Sequence, residues 1–550
     1  MRRFAPLAFA ALLSACATSS GGGGTGDISA ARIREHVRVL SADDMLGRGP
    51  GGPGEAKALD YLAAQFAAAG LEPGGPDGSW FQDVELTRYD RVGEGALSLN
   101  VGGATVPLRL GEDATASVRG AGAYKLDGAP LVFAGYGVHA PELGWSDYEG
   151  LDVRGKVVVV LANDPDFEAG SGPFGGRTLS YYGRVGTKGE EARKRGAAGL
   201  LSIHETAAAS YPWLIVQTGA DAPLVEVTRP AQPTPDPAFL SGWLHQGVAQ
   251  DLLRRVGLHY AALKSQAQSS GFRGRPLADA RLSARFQTRA SPLRSRNIIA
   301  RLTGATRPNE TVLYGAHWDA YGLGPRPDAS GDVNHDGAVD NAVGTAELLE
   351  IARAFARGPR PARTLLFAGW TAEERGLLGA EYYAANPVAP LETTAAVINL
   401  DPHVALPRSR SVELIGGGRT TLEDDLARAA AAQRLRVEPE LNPEAGWYYR
   451  SDHFAFSKRG VPSLAFRIGR DLAQGGRAAG EANVDRYNRE RYHQPSDEFD
   501  PSWTLEGQAQ EARAAFAVGR AIADSATWPA WRATAEFAAA RATSEAARRP

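Results

Sequence analysis

From Asn297 to about residue 525 the chain alternates short, continuously apolar runs with stretches whose apolar residues recur every three or four positions. The first pattern is that of strands buried on both faces, the second that of helices with one buried face. Asn297-Ile298-Ile299-Ala300, Thr311 to Ala316 (T-V-L-Y-G-A), Arg363 to Trp370 (R-T-L-L-F-A-G-W) and Ala395 to Leu400 (A-A-V-I-N-L) are predicted strands. A helix is predicted after Gly337-Ala338-Val339-Asp340-Asn341, with Leu348, Leu349, Ile351, Ala352 and Phe355 along one face. Strand and helix in alternation predict an α/β fold, a doubly wound mixed sheet with helices on both faces, to which residues 291–528 are assigned.

The first half has a different texture. Ile28 to Leu71 carries helical spacing, with Leu40, Leu59, Leu62 and Phe66 among the apolar positions and a Gly/Pro-rich break at Gly47 to Gly54. Short strands follow from Phe81 to about Ala123, and residues 28–125 are read as the N-terminal part of the same domain. Strands at Leu131 to Ala134, Gly155 to Leu161 and Ala197 to Ile203, with a helix from Lys188 to Gly196, then make a β-rich module. It is assigned to residues 126–290 as an insertion, with Leu224 to Pro237 as a Pro-rich loop. His139, His204 and His245 fall within it and are expected at its surface, and the tail, residues 529–550, is expected to be a surface helix that frays.

A chain of 550 residues exceeds what one hydrophobic core organises, which agrees with two or more units. A net charge of -3 with no basic stretch excludes a nucleic-acid footprint. The N-terminus changes the picture further. Met1-Arg2-Arg3 precedes an apolar run, Phe4 to Leu13, too short to span a bilayer, and Leu13-Ser14-Ala15-Cys16 matches the lipobox of bacterial lipoproteins. Residues 1–16 are therefore read as a lipoprotein signal peptide and 17–27 as a Gly/Ser-rich tether. Cys16 is the sole cysteine, which leaves no disulfides and no cysteine-held zinc. The expected location is the cell envelope, anchored through lipid on Cys16. Ala17 lacks the acidic character that retains lipoproteins in the inner membrane, which favours the outer membrane facing the periplasm in a Gram-negative cell.

Chemistry-bearing residues collect where predicted strands end. The strand Thr311 to Ala316 stops at His317 and Asp319, Arg363 to Trp370 is followed by Glu373 and Glu374, and Ala395 to Leu400 runs into Asp401. In open sheets ligand sites gather beyond the carboxyl ends of strands. Asp340 lies near a helix N-terminus, where a carboxylate is favoured, and His493 sits in R-Y-H-Q-P-S-D. Two histidines and three carboxylates suit a pair of zinc ions, and a shared carboxylate can hold them roughly 3.5 to 4 Å apart around a bridging water or hydroxide. Asp332-Val333-Asn334-His335-Asp336-Gly337 resembles the start of a calcium loop, with Asp332, Asn334 and Asp336 as Ca2+ ligands. Its twelfth position is Val343 where a bidentate Glu belongs, and a turn-rich loop into Asp340 is the competing reading.

G-A-H-W-D, G-A-V-D-N, T-A-E-E-R-G-L-L-G-A, N-L-D, S-D-H-F-A-F-S-K-R-G-V-P-S-L and Y-H-Q-P-S-D occur here in order. In that order and spacing they resemble the dizinc aminopeptidase family, which includes secreted bacterial leucyl aminopeptidases, glutamate carboxypeptidase and the transferrin receptor. L-V-F-A-G-Y-G-V and W-S-D-Y-E-G-L-D-V-R-G-K-V-V-V-V are similar to the protease-associated domain that several members carry as an insertion. The resemblance implies two zinc ions, one on His317 and Asp401, the other on Glu374 and His493, with Asp340 bridging. It implies Glu373 as general base, Asp319 as the acid that orients His317, and a phenol, Tyr492 or Tyr449, that stabilises the oxyanion. The activity implied is an exopeptidase that removes N-terminal residues from peptides. A carboxypeptidase or amidase of the same fold, and a catalytically inactive receptor-like protein, are the alternatives; the presence of all five ligand types and Glu373 argues against the last. Asp452 and His453 read as structural or pocket-lining. Trp318, Tyr321, Trp447, Tyr448 and Tyr449 are candidates for an apolar pocket wall, and Arg450 or Arg467 for meeting an acidic group. Oligomeric state is not legible in the sequence.

The lipid anchor makes no contact with the predicted site, so Cys16→Ser is expected to release the protein from membranes without altering hydrolysis. Membrane fractionation of the variant checks this; an unchanged distribution counts against lipidation.

Overall fold

The computed structural model describes residues 24–218, 223–228, 238–324, 327 and 331–548. Cys16, the signal peptide and most of the tether lie outside the described residues.

One mixed sheet organises the second half. Its strands are β1 (Phe81–Arg91), β2 (Arg275–Leu302), β3 (Arg307–His317), β4 (Arg363–Trp370), β5 (Thr394–Asn399), β6 (Ser411–Ile415), β7 (Arg436–Pro439) and β8 (Ser463–Ile468). They lie in the order β1-β2-β4-β3-β5-β8-β6-β7. Four parallel strands, β4-β3-β5-β8, form the centre, and antiparallel pairings join β1, β2 and β6 to it. β4 and β5 are buried along their whole lengths, as expected of strands covered on both faces.

Period-two alternation divides the strand residues between two helix layers. Val312, Tyr314 and Ala316 of β3 face one core. It is closed by α1 (Ala30–Leu40), α2 (Glu55–Ala68), α3 (Gly344–Arg357), α5 (Leu422–Ala432), α7 (Gly476–Glu490) and α8 (Glu506–Asp524). Leu313, Leu366 and Val397 face the other, closed by α4 (Leu378–Ala385) and α6 (His453–Ser457). The doubly wound α/β expectation is met, and the N-terminal helices join the main domain.

Between β1 and the end of β2 lies a second unit with its own core. Gly122–Phe133, Val157–Leu161, Gly199–His204 and Phe239–His245 pair in parallel succession. β2 runs through residue 290 without a break. Its first half pairs with Gly122–Phe133 and Ala96–Val101, its second with β1 and β4, so one continuous strand belongs to both units where a linker was expected.

Three further expectations are corrected. Leu224–Val227, read as part of a loop, is a strand paired antiparallel to β1, because four residues of alternating pattern suffice once a partner edge is present. His204, expected at the surface, is 3% exposed; Trp213, Trp243 and Tyr211 surround its ring at 5.3 to 5.8 Å, and an imidazole body buries well among aromatics. The tail is docked instead of frayed. Trp531 and Phe537 bury against Phe454 and Tyr449, and the Arg541 guanidinium donates to the carbonyls of Leu391 (3.1 Å) and Thr394 (2.9 Å).

Arg48 ties the N-terminal segment to the site. Its guanidinium, 1% exposed, donates to the carbonyls of Leu40 (2.5 Å), Asp336 (2.6 Å), Trp318 (2.8 Å) and Gly337 (2.9 Å). Arg48→Met keeps the bulk but leaves these carbonyls without a donor. Each orphaned buried group costs about 1–3 kcal/mol, so a loss of about 3 kcal/mol or more is expected, measured as a fall in urea-unfolding free energy.

Candidate metal centre

Strand order brings the site residues together. β3 ends in His317, which pairs across to Trp370 at the end of β4; three residues further on is Glu373. β5, on the other side of β3, ends at Asn399, and Asp401 follows. From β3 the chain turns to one neighbour through α3 and later to the other, which opens a crevice at the carboxyl ends of these strands. Asp340 comes from the turn ahead of α3. Gly337 opens that turn with φ 52°, and a Cβ there would lie 2.2 Å from the Asp340 carbonyl oxygen, so only glycine fits. The Asp340–Asn341 peptide is cis. Asn341 locks the turn, its amide donating to the Leu400 carbonyl (3.0 Å) and its oxygen accepting from Gly344 N–H (2.9 Å).

The side chains converge on Asp340. Oδ1 lies 3.2 Å from His317 Nε2 and Oδ2 lies 3.3 Å from His493 Nε2. His317 Nε2 is 3.7 Å from Asp401 Oδ1 and 4.0 Å from Glu373 Oε2, and His493 Nε2 is 3.5 Å from Glu374 Oε2. Two groups of three potential ligands result, His317–Asp340–Asp401 and Asp340–Glu374–His493, each with its ligating atoms within 4.8 Å of one another. Imidazole nitrogen and carboxylate oxygen at this spacing are a donor set that fits zinc.

A second ring of residues holds these side chains. The Asp497 carboxylate accepts from the N–H groups of Val339 (3.2 Å) and Asp340 (3.1 Å) and from the Tyr487 hydroxyl (3.2 Å). Ser451 donates to Asp401 Oδ2 (2.5 Å) and accepts from the Asn399 amide (2.6 Å). The Tyr321 hydroxyl lies 3.1 Å from His493 Nδ1. At His317 the nearest partner of Nδ1 is the carbonyl oxygen of Asp319 at 3.1 Å; the Asp319 carboxylate is 3.7 Å away and accepts from Glu373 N–H (3.1 Å). Asp319 thus touches both His317 and Glu373, but its backbone oxygen is the closer acceptor for the ring.

Crowding of acids dominates the electrostatics. Burial pushes the Glu374 carboxyl up to about 8, with Asp340 adding to the effect against the two imidazoles. Burial also raises Glu373 well above the usual carboxylate range against the pull of His317, with Asp452, Glu374 and Asp401 adding to the rise. Burial would raise Asp340 too, yet hydrogen bonds from His317 and His493 hold it far below. Carboxylates packed this closely require protons or cations between them.

The oxyanion candidates separate. Tyr492 stacks on His493 with ring centroids 3.7 Å apart and lines the cleft. Tyr449 forms cleft wall with its ring, but its hydroxyl is committed to Glu536 (2.8 Å) and Arg419 (3.1 Å). Of the expected aromatic wall, Tyr321 and Trp447 also line the cleft. Trp318 is fully buried with its indole N–H on Arg296 O, and Tyr448 is buried against Ser457. Asp452 and His453 are buried without side-chain hydrogen bonds and belong to neither ligand group. Asp332 and Asp336 do not form a ligand group among the described residues. Asp332 accepts from Asn334 N–H, and the Asp336 carbonyl accepts from Arg48, as in a turn. Sequence reasoning missed Asp497, Ser451 and Arg48 as supports; Asp497 and Ser451 lie inside the Y-H-Q-P-S-D and R-S-D-H segments, where their position beside site residues was the available signal.

Above the centre opens a cleft of about 780 Å³, to which the inserted unit contributes Arg119, Arg184 and the strand Leu224–Val227.

Fold and site together define a mixed α/β protein with paired metal-ligand groups at the carboxyl edge of its sheet. Residues 297–517 match Peptidase family M28. A probable zinc metalloprotease of Pyrenophora tritici-repentis is 40% identical over 110 residues, which cover 20% of this chain and 24% of that protein. The chain thus spans about a quarter of the length of that curated relative. The probable lipoprotein aminopeptidase LpqL of Mycobacterium tuberculosis is 24% identical over 514 residues, 90% of this chain and 84% of that protein. The solved aminopeptidase from Aneurinibacillus sp. strain AM-1 superposes with a TM-score of 0.51 at 20% identity, covering 92% of this chain and 96% of that one, and supports the fold.

Asp497→Asn replaces an acceptor-only group facing two N–H donors with one that is half donor. Zinc affinity is expected to fall about tenfold to a hundredfold, as for other outer partners of metal ligands, read by competition with a chromophoric chelator.

Proposed function

We propose that this chain is a dizinc exopeptidase that removes N-terminal residues from peptides. The observation that carries the reading is the pair of three-ligand groups sharing Asp340, with Glu373 beside them in a peptide-sized cleft. His317, Asp340 and Asp401 would hold one ion and Asp340, Glu374 and His493 the other. Two zinc ions there would supply Lewis acidity, polarising the scissile carbonyl and lowering the pKa of a shared water.

The protein's own groups do the remainder. Glu373, one residue before a ligand and with its carboxylate 4.0 Å from His317 Nε2, receives the proton of the attacking water and passes it to the leaving amine. Its backbone N–H is pinned to Asp319, which fixes the turn that carries the carboxylate. Tyr492, stacked on His493 and lining the cleft, would offer its phenol to the developing oxyanion. Among the described residues no helix is long and apolar enough to cross a membrane, and we place the protein in the cell envelope through lipid on Cys16. The similarity to the Mycobacterium relative, a probable lipoprotein aminopeptidase, supports that placement.

Adjacent substitutions separate base from ligand. Glu373→Gln is expected to keep about two zinc equivalents per chain and to lose at least 10²- to 10⁴-fold in kcat. Glu374→Gln should weaken one zinc site, because an amide is a poorer, uncharged ligand. Metal analysis with steady-state kinetics on aminoacyl-anilides decides; zinc loss in the first variant and retention in the second would reverse the roles.

A further inference from the structure

The cleft is rich in cations, but most are already neutralised. Arg467 is 5% exposed and bonds Glu413 at 3.1 Å, Arg459 bonds Glu381 at 3.0 Å with Lys458 on the same carboxylate, and Arg119 pairs with Glu226. Arg450 differs. It is exposed, it lines the cleft, and no carboxylate lies within ion-pair distance of it among the described residues. Its guanidinium lies over the Trp447 ring at 4.6 Å and donates to the Tyr492 hydroxyl at 3.3 Å. Tyr492 in turn stacks on His493, and the next residue after Arg450 is Ser451, which holds Asp401. The guanidinium therefore stands one side chain away from the ligand groups, on backbone that the site itself fixes.

An unneutralised guanidinium beside a cluster of buried acids has one natural complement, a carboxylate brought by the substrate, since a planar fork pairs best with that geometry. Consecutive residues of a peptide are about 3.8 Å apart. A substrate carbonyl at the ligand groups therefore places either the side chain of its own residue or the carboxylate of the next within reach of Arg450. We propose that Arg450 is a specificity-determining residue that selects peptides carrying a carboxylate within one residue of the scissile bond. This rests on the peptidase reading above and deepens it. The carboxylate has two possible sources, an acidic first side chain or the C-terminus of a dipeptide.

The test uses the zinc-loaded full chain and two substrate pairs, glutamyl- against leucyl-p-nitroanilide and alanyl-alanine against alanyl-alaninamide. At least one pair should show a kcat/KM about tenfold or more in favour of the carboxylate-bearing member, and which pair does so identifies the source. Arg450→Met should bring that ratio close to one, while Arg450→Lys, which keeps the charge but loses the fork, should restore part of it. Equal rates on both pairs, or a preference that survives Arg450→Met, overturn the proposal, and the wild-type ratios decide by themselves if the variant does not fold. Cleavage of neutral peptides without any carboxylate preference overturns only this inference; a zinc-loaded chain that cleaves no peptide overturns the peptidase reading and this one with it.

Discussion

The constraint on which the rest depends is the cost of gathering acids in one crevice. Asp340, Glu373, Glu374, Asp401 and Asp452 meet two imidazoles at the carboxyl edge of the sheet, where burial, with the neighbouring Asp340, drives Glu374 up to about 8 against the pull of the imidazoles. Like charges at such separations repel strongly once water is excluded. The arrangement persists because each acid is carried by an element that cannot relax away from its neighbours. β4, β5 and the second half of β3 are fully buried at the centre of the sheet, and their ends cannot move apart without unpairing it.

Residues without chemistry of their own complete that restraint. Arg48 pulls the loops after His317 and before Asp340 onto the N-terminal segment through four carbonyls. Asp497 reaches from the far end of the domain to hold the Asp340 turn by its backbone, and Ser451 holds Asp401. The segments 28–71 and 490–500 thus serve the same turn from opposite ends of the chain. That explains why the domain needs its N-terminal helices although none of their residues belongs to the ligand groups.

The inserted unit is joined by a strand, not a tether. β2 pairs with both sheets, and Leu224–Val227 returns to pair with β1 at the margin of the cleft. Two sheets that share a backbone hinge little, so the inserted wall of the cleft is set by the same hydrogen-bond ladder that sets the floor.

Much of this was legible in the sequence because it is local. Continuous apolar runs fix a strand buried on both faces, and the residue after such a run is known before any tertiary contact is: His317, Glu373, Glu374 and Asp401 could be listed from periodicity alone. The order of six short segments pointed to the family in the same way. What the sequence could not carry was direction and partnership across the fold. The hydroxyl of Tyr449 turns to Glu536 while Tyr492 lies over His493, Arg467 is neutralised by Glu413 while Arg450 is not, and His204 is enclosed by aromatics from two other segments. The partners of Tyr449, Arg467 and His204 include residues tens of positions away. Local propensity determines which elements form and what they end in; only packing decides which side chains spend their polar groups on each other and which remain free for a ligand.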